Sequence, residues 1–188
     1  MKNLADYVMV LDNCLSSEHC NQLIQKFNDS ELVERDSKWE QDYKSFKELN
    51  LTTHPEFKIE QDLFYNRTSN LFQFYKEKCK VEFFPNKFGY EDVRMKRYNV
   101  NDKDQFGWHT DVGDYASARR FLVMFYYLND VKEGGETVFK SMVDDKELFI
   151  KPEQGRIVIF PPMWMYPHKG MKPISNSKYI ISTYLHYL

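Results

Sequence analysis

From Glu91 onward the chain is a succession of short β-branched and aromatic runs broken by Gly, Asn, Asp and Pro, and all seven glycines stand at or beyond Gly89. Runs this short, separated this often by turn residues, are the texture of an antiparallel sheet. Eight can be delimited, at about residues 93–100, 105–111, 120–128, 136–139, 148–151, 156–160, 166–170 and 178–187. Gly134-Gly135 and Gln154-Gly155 supply positive-φ positions where the chain must reverse. The first ninety residues read differently. After the apolar run Tyr7 to Leu11 and the turn chemistry of Asp12-Asn13, Ser16 and Ser17 cap a helix whose Cys20, Leu23, Ile24 and Phe27 recur at three- and four-residue steps. Residues 57–80, with Ile59, Leu63, Phe64, Leu71, Phe74 and Tyr75, form a second long helix. Between them residues 30–56 are polar, carry Trp39, Tyr43 and Phe46, and read as a long irregular connection and a candidate lid. The expectation is an α+β, mainly β domain over 1–188. It has a jelly-roll (double-stranded β-helix) catalytic core at 91–188, buttressed by N-terminal helices within 1–90.

Composition excludes more than it selects. The chain's 188 residues are 42% hydrophobic, enough to bury one substantial core. A net charge of −2 gives no electrostatic ground for a nucleic-acid or anionic-membrane partner. No run approaches the roughly 20 apolar residues that span a bilayer, and the N-terminus lacks the apolar centre of a signal peptide, so a cytoplasmic location is expected. Cys14, Cys20 and Cys79 form neither a CxxC pair nor an even disulfide set. They read as small apolar side chains in a reducing compartment.

The chemistry concentrates in Gly107-Trp108-His109-Thr110-Asp111, where His109 and Asp111 stand two apart at a strand end and therefore share a face. His168 lies on the seventh predicted strand, which in a jelly roll is brought to the second. Two imidazoles and one carboxylate on one face of an octahedral ion leave three positions open, the arrangement suited to non-haem iron(II). An HxD pair alone recurs by chance, but Lys178 follows His168 by ten residues, and alternation puts it on the same face as Ile180 and Ser182. A lysine turned inward among apolar neighbours requires an anion. Trp108, Trp164, Arg119 and Arg120 are weaker substrate contacts. Arg94, Lys96 and Arg97 read as a solvated strand face, and His19, His54 and His186 as ordinary histidines.

Arg97-Tyr98, Trp108 to Asp111, Phe125 to Asn129, Gly134 to Phe139, Lys151 to Phe160 and His168-Lys169-Gly170 follow in an order that resembles the prolyl 4-hydroxylase-like 2-oxoglutarate oxygenases. The segment from Val8 through Ile24 is similar to the strand and helix with which that family commonly begins. The resemblance implies that His109, Asp111 and His168 bind Fe(II), and that Lys178 pairs with the distal carboxylate of 2-oxoglutarate. It also implies that Tyr98 and Tyr127 line or hydrogen-bond that co-substrate. The implied reaction consumes O2 and 2-oxoglutarate, releases succinate and hydroxylates the substrate, with ascorbate as an accessory reductant and a prolyl residue of a peptide or protein as the target. Asp111 favours hydroxylation over halogenation, since similar halogenases usually lack this carboxylate. A free amino acid or nucleobase substrate stays open, as does a cupin-like metal-binding module without oxygen chemistry.

Overall fold

A computed structural model describes residues 3–36 and 44–188. Twelve strands form one hydrogen-bonded sheet among the described residues. They are β1 (Met9–Leu11), β2 (Glu34–Asp36), β3 (Lys44–Asn50), β4 (Phe88–Tyr90), β5 (Arg94–Tyr98), β6 (Gln105–His109), β7 (Arg120–Tyr127), β8 (Thr137–Lys140), β9 (Glu147–Ile150), β10 (Ile157–Phe160), β11 (His168–Gly170) and β12 (Lys178–Tyr187). Ten of them lie on a single path, with β2 paired to β3 and β4 to β12 beside it. The order β1-β10-β7-β12-β5-β3-β6-β11-β8-β9 folds over at β3, which pairs with β5 through Lys47 to Asn50 and with β6 through Lys44 and Ser45. Every pairing is antiparallel, and the curled sheet is the expected double-stranded β-helix.

All eight strands expected after residue 91 are present. The irregular connection expected at residues 30–56 is corrected: β3 lies in the middle of the sheet, with Phe46, Leu49 and Leu51 fully buried. Its charged residues Lys44, Lys47 and Glu48 had hidden a strand that buries Ser45, Phe46 and Leu49. Trp39 and Tyr43, and with them the centre of the candidate lid, lie outside the described residues.

Alternation on the central strands separates two cores. On β7, Leu122, Met124 and Tyr126 face one cluster, while Val123, Phe125 and Tyr127 face another; on β10, Ile157 and Ile159 oppose Val158 and Phe160 in the same way. The first cluster is covered by the helices. α1 (Ser17–Asp29) begins where the Ser16 hydroxyl accepts from the His19 N–H, and it buries Cys20, Leu23 and Phe27. α2 (Lys58–Cys79) buries Phe64, Thr68, Phe72, Tyr75 and Cys79 along one stripe and ends at Lys80 in the left-handed conformation. Of the residues that mark this helix in the sequence, Ile59 is 71% exposed, and Leu63 and Phe74 also face solvent. All three cysteines are free thiols, with Cys20 and Cys79 buried in the helix-covered core. The second cluster fills the barrel and forms the floor of the site. No helix among the described residues is long and apolar enough to cross a membrane.

Candidate active site

His109 and His168 are direct cross-strand neighbours on β6 and β11. The register puts their rings 4.2 Å apart. Each ring nitrogen Nδ1 is held by a main-chain carbonyl two residues back, that of Gly107 at 2.8 Å and that of Tyr166 at 3.0 Å. A carbonyl accepts only, so Nδ1 carries the proton and Nε2 presents a lone pair in both rings. Stacking of Phe106 on His109 at 3.5 Å and packing of Phe139 and Phe160 on His168 fix the ring planes. Asp111 lies just beyond the end of β6, not within it. Its main-chain N–H donates to the Pro162 carbonyl, and the Arg120 guanidinium donates to the Asp111 carbonyl at 2.7 Å. Loop anchoring rather than strand alternation thus aims its carboxylate, which sits 3.7 Å from His109 Nε2 and 3.5 Å from His168 Nε2.

All three donor atoms fall within 4.8 Å of one another. Burial, then the neighbouring His168 ring, pushes His109 down to about 3, keeping it neutral. Burial alone would raise the Asp111 pKa, but the two imidazoles and the Tyr184 hydroxyl outweigh it and hold the carboxylate below its usual range. Two imidazoles and one carboxylate on a single face are the donor set of a mononuclear, three-open-position iron(II) site.

Below the triad lies an open cavity of about 520 Å³, solvent mouth included, lined by Tyr98, Val123, Phe125, Thr137, Lys178 and Ile180 among others. Lys178 is 2% exposed. Its ammonium donates to the Gly135 carbonyl at 3.0 Å and lies 4.4 Å from the Tyr98 ring centroid. Burial lowers it to about 7, Glu136 opposing. Gly135 has φ +75°, and its neighbour Gly134 at φ +72° has no room for a Cβ against the Lys172 carbonyl, so the turn that offers this oxygen depends on glycine.

Tyr127 faces inward as alternation requires but does not line the cavity. Its hydroxyl donates to Thr137 Oγ1 at 2.6 Å. Of this pair it is Thr137 that lines the cavity; its hydroxyl accepts the Tyr127 hydrogen bond and can turn its own hydrogen into the cavity. The signal for Thr137 was present in Gly135-Glu136-Thr137, two residues past the reversal that feeds Lys178. Tyr184 was also missed, although Lys178, Ile180, Ser182 and Tyr184 share one face of β12. Its hydroxyl donates to Asp111 Oδ1 at 2.8 Å, and burial followed by that carboxylate raises it well above the ordinary phenol value.

Above the triad a wide groove of about 2420 Å³, open to solvent, runs across β3, β5 and residues 110–120. Arg120 forms one wall. It makes a two-pronged pair with Glu91 at 2.8 and 2.9 Å and stacks 4.0 Å over Tyr184, which makes it a support of the Asp111 loop as well as a groove residue. Arg119 is exposed at the groove, whereas Trp108 carries Lys169 over its ring at 4.5 Å and Trp164 is 64% exposed; neither tryptophan lines the groove.

The solvated face expected for Arg94, Lys96 and Arg97 is corrected. Arg94 and Lys96 line the groove, while Arg97, on the opposite face of β5, lies against Phe27 and Tyr179. His19, His54 and His186 take no part in the triad.

A double-stranded β-helix with two imidazoles and a carboxylate converging at its mouth, and a buried lysine at its floor, defines a mononuclear non-haem metal oxygenase. The chain belongs to the 2OG-Fe(II) oxygenase superfamily, whose family model matches residues 93–186, half of its length. It is a 2-oxoglutarate-dependent dioxygenase, and family membership implies Fe(II), 2-oxoglutarate and O2. No curated protein matches the sequence. Among solved structures it is similar to a viral collagen prolyl hydroxylase from Paramecium bursaria Chlorella virus-1 in complex with 2OG (TM-score 0.71, 21% identity, 97% of each chain). A prolyl-4-hydroxylase from Pseudomonas putida matches at TM-score 0.74 and 14% identity over 97% of this chain and 93% of that one. A Trichoplax adhaerens prolyl hydroxylase in complex with a hypoxia-inducible-factor peptide matches at 0.74 and 16% over 96% and 84%.

Proposed function

We propose that this chain is a prolyl hydroxylase acting on a peptide or protein. The observation that carries the reading is the pairing of a narrow, apolar-walled cavity ending in Lys178 with a wide groove crossing the metal triad. The cavity is sized and charged for a small dicarboxylate; the groove has room for an extended chain rather than a lone amino acid or base. The structural neighbours include prolyl hydroxylases, one with a bound peptide, which supports the same reading.

In it, His109, Asp111 and His168 hold Fe(II), which supplies oxygen activation when bound. The chain's own part is to orient and to exclude water. Lys178 and Thr137 receive the distal carboxylate of 2-oxoglutarate, Tyr98 covers the lysine, and Val123, Phe125 and Phe160 keep the cavity walls dry. Tyr127 acts through Thr137 by fixing the direction of its hydroxyl. Ascorbate belongs to the reading as the reductant that sustains repeated turnover.

The test is to incubate the protein with Fe(II), ascorbate, 2-oxoglutarate and a panel of proline-containing peptides, following succinate and peptide mass. One added oxygen on proline, with succinate in equal amount, is expected. Succinate release stimulated by free amino acids or nucleobases but by no peptide refutes the assignment.

A further inference from the structure

Lys96 stands where the inner cavity meets the outer groove: it lines both, whereas Lys178 lines only the cavity. It is set in the middle of β5, paired across to Glu48 on β3 and Ile180 on β12, so its backbone is fixed on both sides. Its ammonium lies 5.3 Å from the Phe46 ring centroid, and among the described residues no carboxylate is within ion-pairing distance of it.

The carboxylates of the groove are already engaged. Glu48 and Asp92 both turn to Arg94, at 2.6 and 2.9 Å. Glu91 is held by Arg120, Asp111 by Tyr184 and the triad, and Asp114 by Ser117. A cation therefore faces the reaction centre with no carboxylate in direct contact, Glu48 and Asp111 acting on it only at a distance. Burial pushes its pKa down, and that penalty is relieved when an anion arrives.

The geometry points to Lys96 as a specificity-determining residue that pairs with a carboxylate of the substrate close to the position hydroxylated, so that the substrate class is an acidic peptide. This rests on the reading of the site as a peptide hydroxylase. The 2-oxoglutarate dianion has its distal partner in Lys178 and its other end at the metal face, whereas Lys96 opens onto the path by which the substrate enters.

The test uses the full chain loaded with Mn(II) and N-oxalylglycine, an unreactive mimic of 2-oxoglutarate, and fluorescently labelled capped peptides with a central proline. Glu stands before or after the proline, and matched peptides carry Gln or Lys there. The wild type should bind a Glu peptide about tenfold more tightly than its Gln partner. Lys96→Met should erase the difference, and Lys96→Glu should invert it in favour of the Lys peptide. Both variants should keep the wild-type circular dichroism, and Lys96→Met should change N-oxalylglycine affinity far less than it changes the peptide preference.

Equal binding of Glu and Gln peptides by the wild type, or no binding of either, overturns the proposal. So does a preference that survives both variants. Weakened N-oxalylglycine binding with peptide preference intact assigns Lys96 to the co-substrate and overturns it too. Repeating the series with alanine for proline separates the two readings. A Glu preference indifferent to proline sinks the prolyl assignment and keeps Lys96, while proline dependence without a Glu preference does the reverse.

Discussion

Removing the charge at the cavity floor should make the empty protein more stable while destroying its ability to take up 2-oxoglutarate. Lys178 is 2% exposed, and burial takes its pKa from 10.5 to about 7. At about 1.36 kcal/mol per pH unit, carrying the charge in place costs on the order of 5 kcal/mol. The folded pKa is the lower one. Between pH 7 and 10.5 the unfolded chain therefore binds more protons than the folded one, and the stability of the empty protein rises with pH through that window. Below pH 7 the full penalty applies. Lys178→Met keeps an unbranched side chain one atom shorter, abolishes the penalty and gives up the hydrogen bond to the Gly135 carbonyl, worth about 1 kcal/mol. The net gain is about 4 kcal/mol, or about 8–16 °C in Tm for a chain of this size. Calorimetry at pH 6 and pH 9.5 should show the variant ahead by that margin at the lower pH and by a much smaller one at the higher. Metal and 2-oxoglutarate at a hundredfold excess over Kd should then add about 2.7 kcal/mol to the wild type, and 2-oxoglutarate should add nothing to the variant beyond what the metal gives. A variant no more stable than the wild type at pH 6, or equally favoured at both pH values, would refute the argument that the floor of the cavity holds an uncompensated cation.

Three further outcomes are expected. Asp111→Ala should lower iron-dependent succinate release by more than about a hundredfold and weaken Co(II) binding, read from the visible spectrum, because one of three donors is lost. Tyr184→Phe should weaken Mn(II) binding by about tenfold in equilibrium dialysis with the fold intact, since it removes the hydroxyl that orients the Asp111 carboxylate. Thr137→Val should raise the KM for 2-oxoglutarate by about tenfold, and Tyr127→Phe should raise it less, because Tyr127 reaches the cavity only through Thr137; the opposite ranking would show that Tyr127 touches the co-substrate directly.

The eight C-terminal strands were legible because their alternation has one meaning: on β7 and β10 every second residue is apolar toward the helices and every other toward the barrel. The same rule located His109, His168 and Lys178. It failed at β3, where Lys44, Lys47 and Glu48 occupy the groove and sheet-partner positions of a central strand, so that the polar face looked like a loop. It was only half right at α2, where Phe64 and Tyr75 are core but Ile59, Leu63 and Phe74, which marked the same helix, face solvent. Sequence spacing reports that a face exists; only packing against β7 and β12 decides which stripe is covered.

Tyr127 and Lys96 show where pattern reading stops. Alternation correctly turned Tyr127 inward, but inward in a barrel is a layer several side chains deep, and Thr137 stands between its hydroxyl and the cavity. Lys96 is the reverse case. A run of Arg, Lys and Arg on one strand has the composition of a solvated surface, and that would hold were the sheet flat. Because the sheet folds over at β3, the polar face of β5 becomes the wall of the groove, and charges that water would have screened are placed beside the triad of His109, Asp111 and His168. The curvature that brings His109 and His168 together also changes the meaning of the charges on β5, which is why the substrate's chemistry is to be sought at Lys96 rather than among the ligands that define the family.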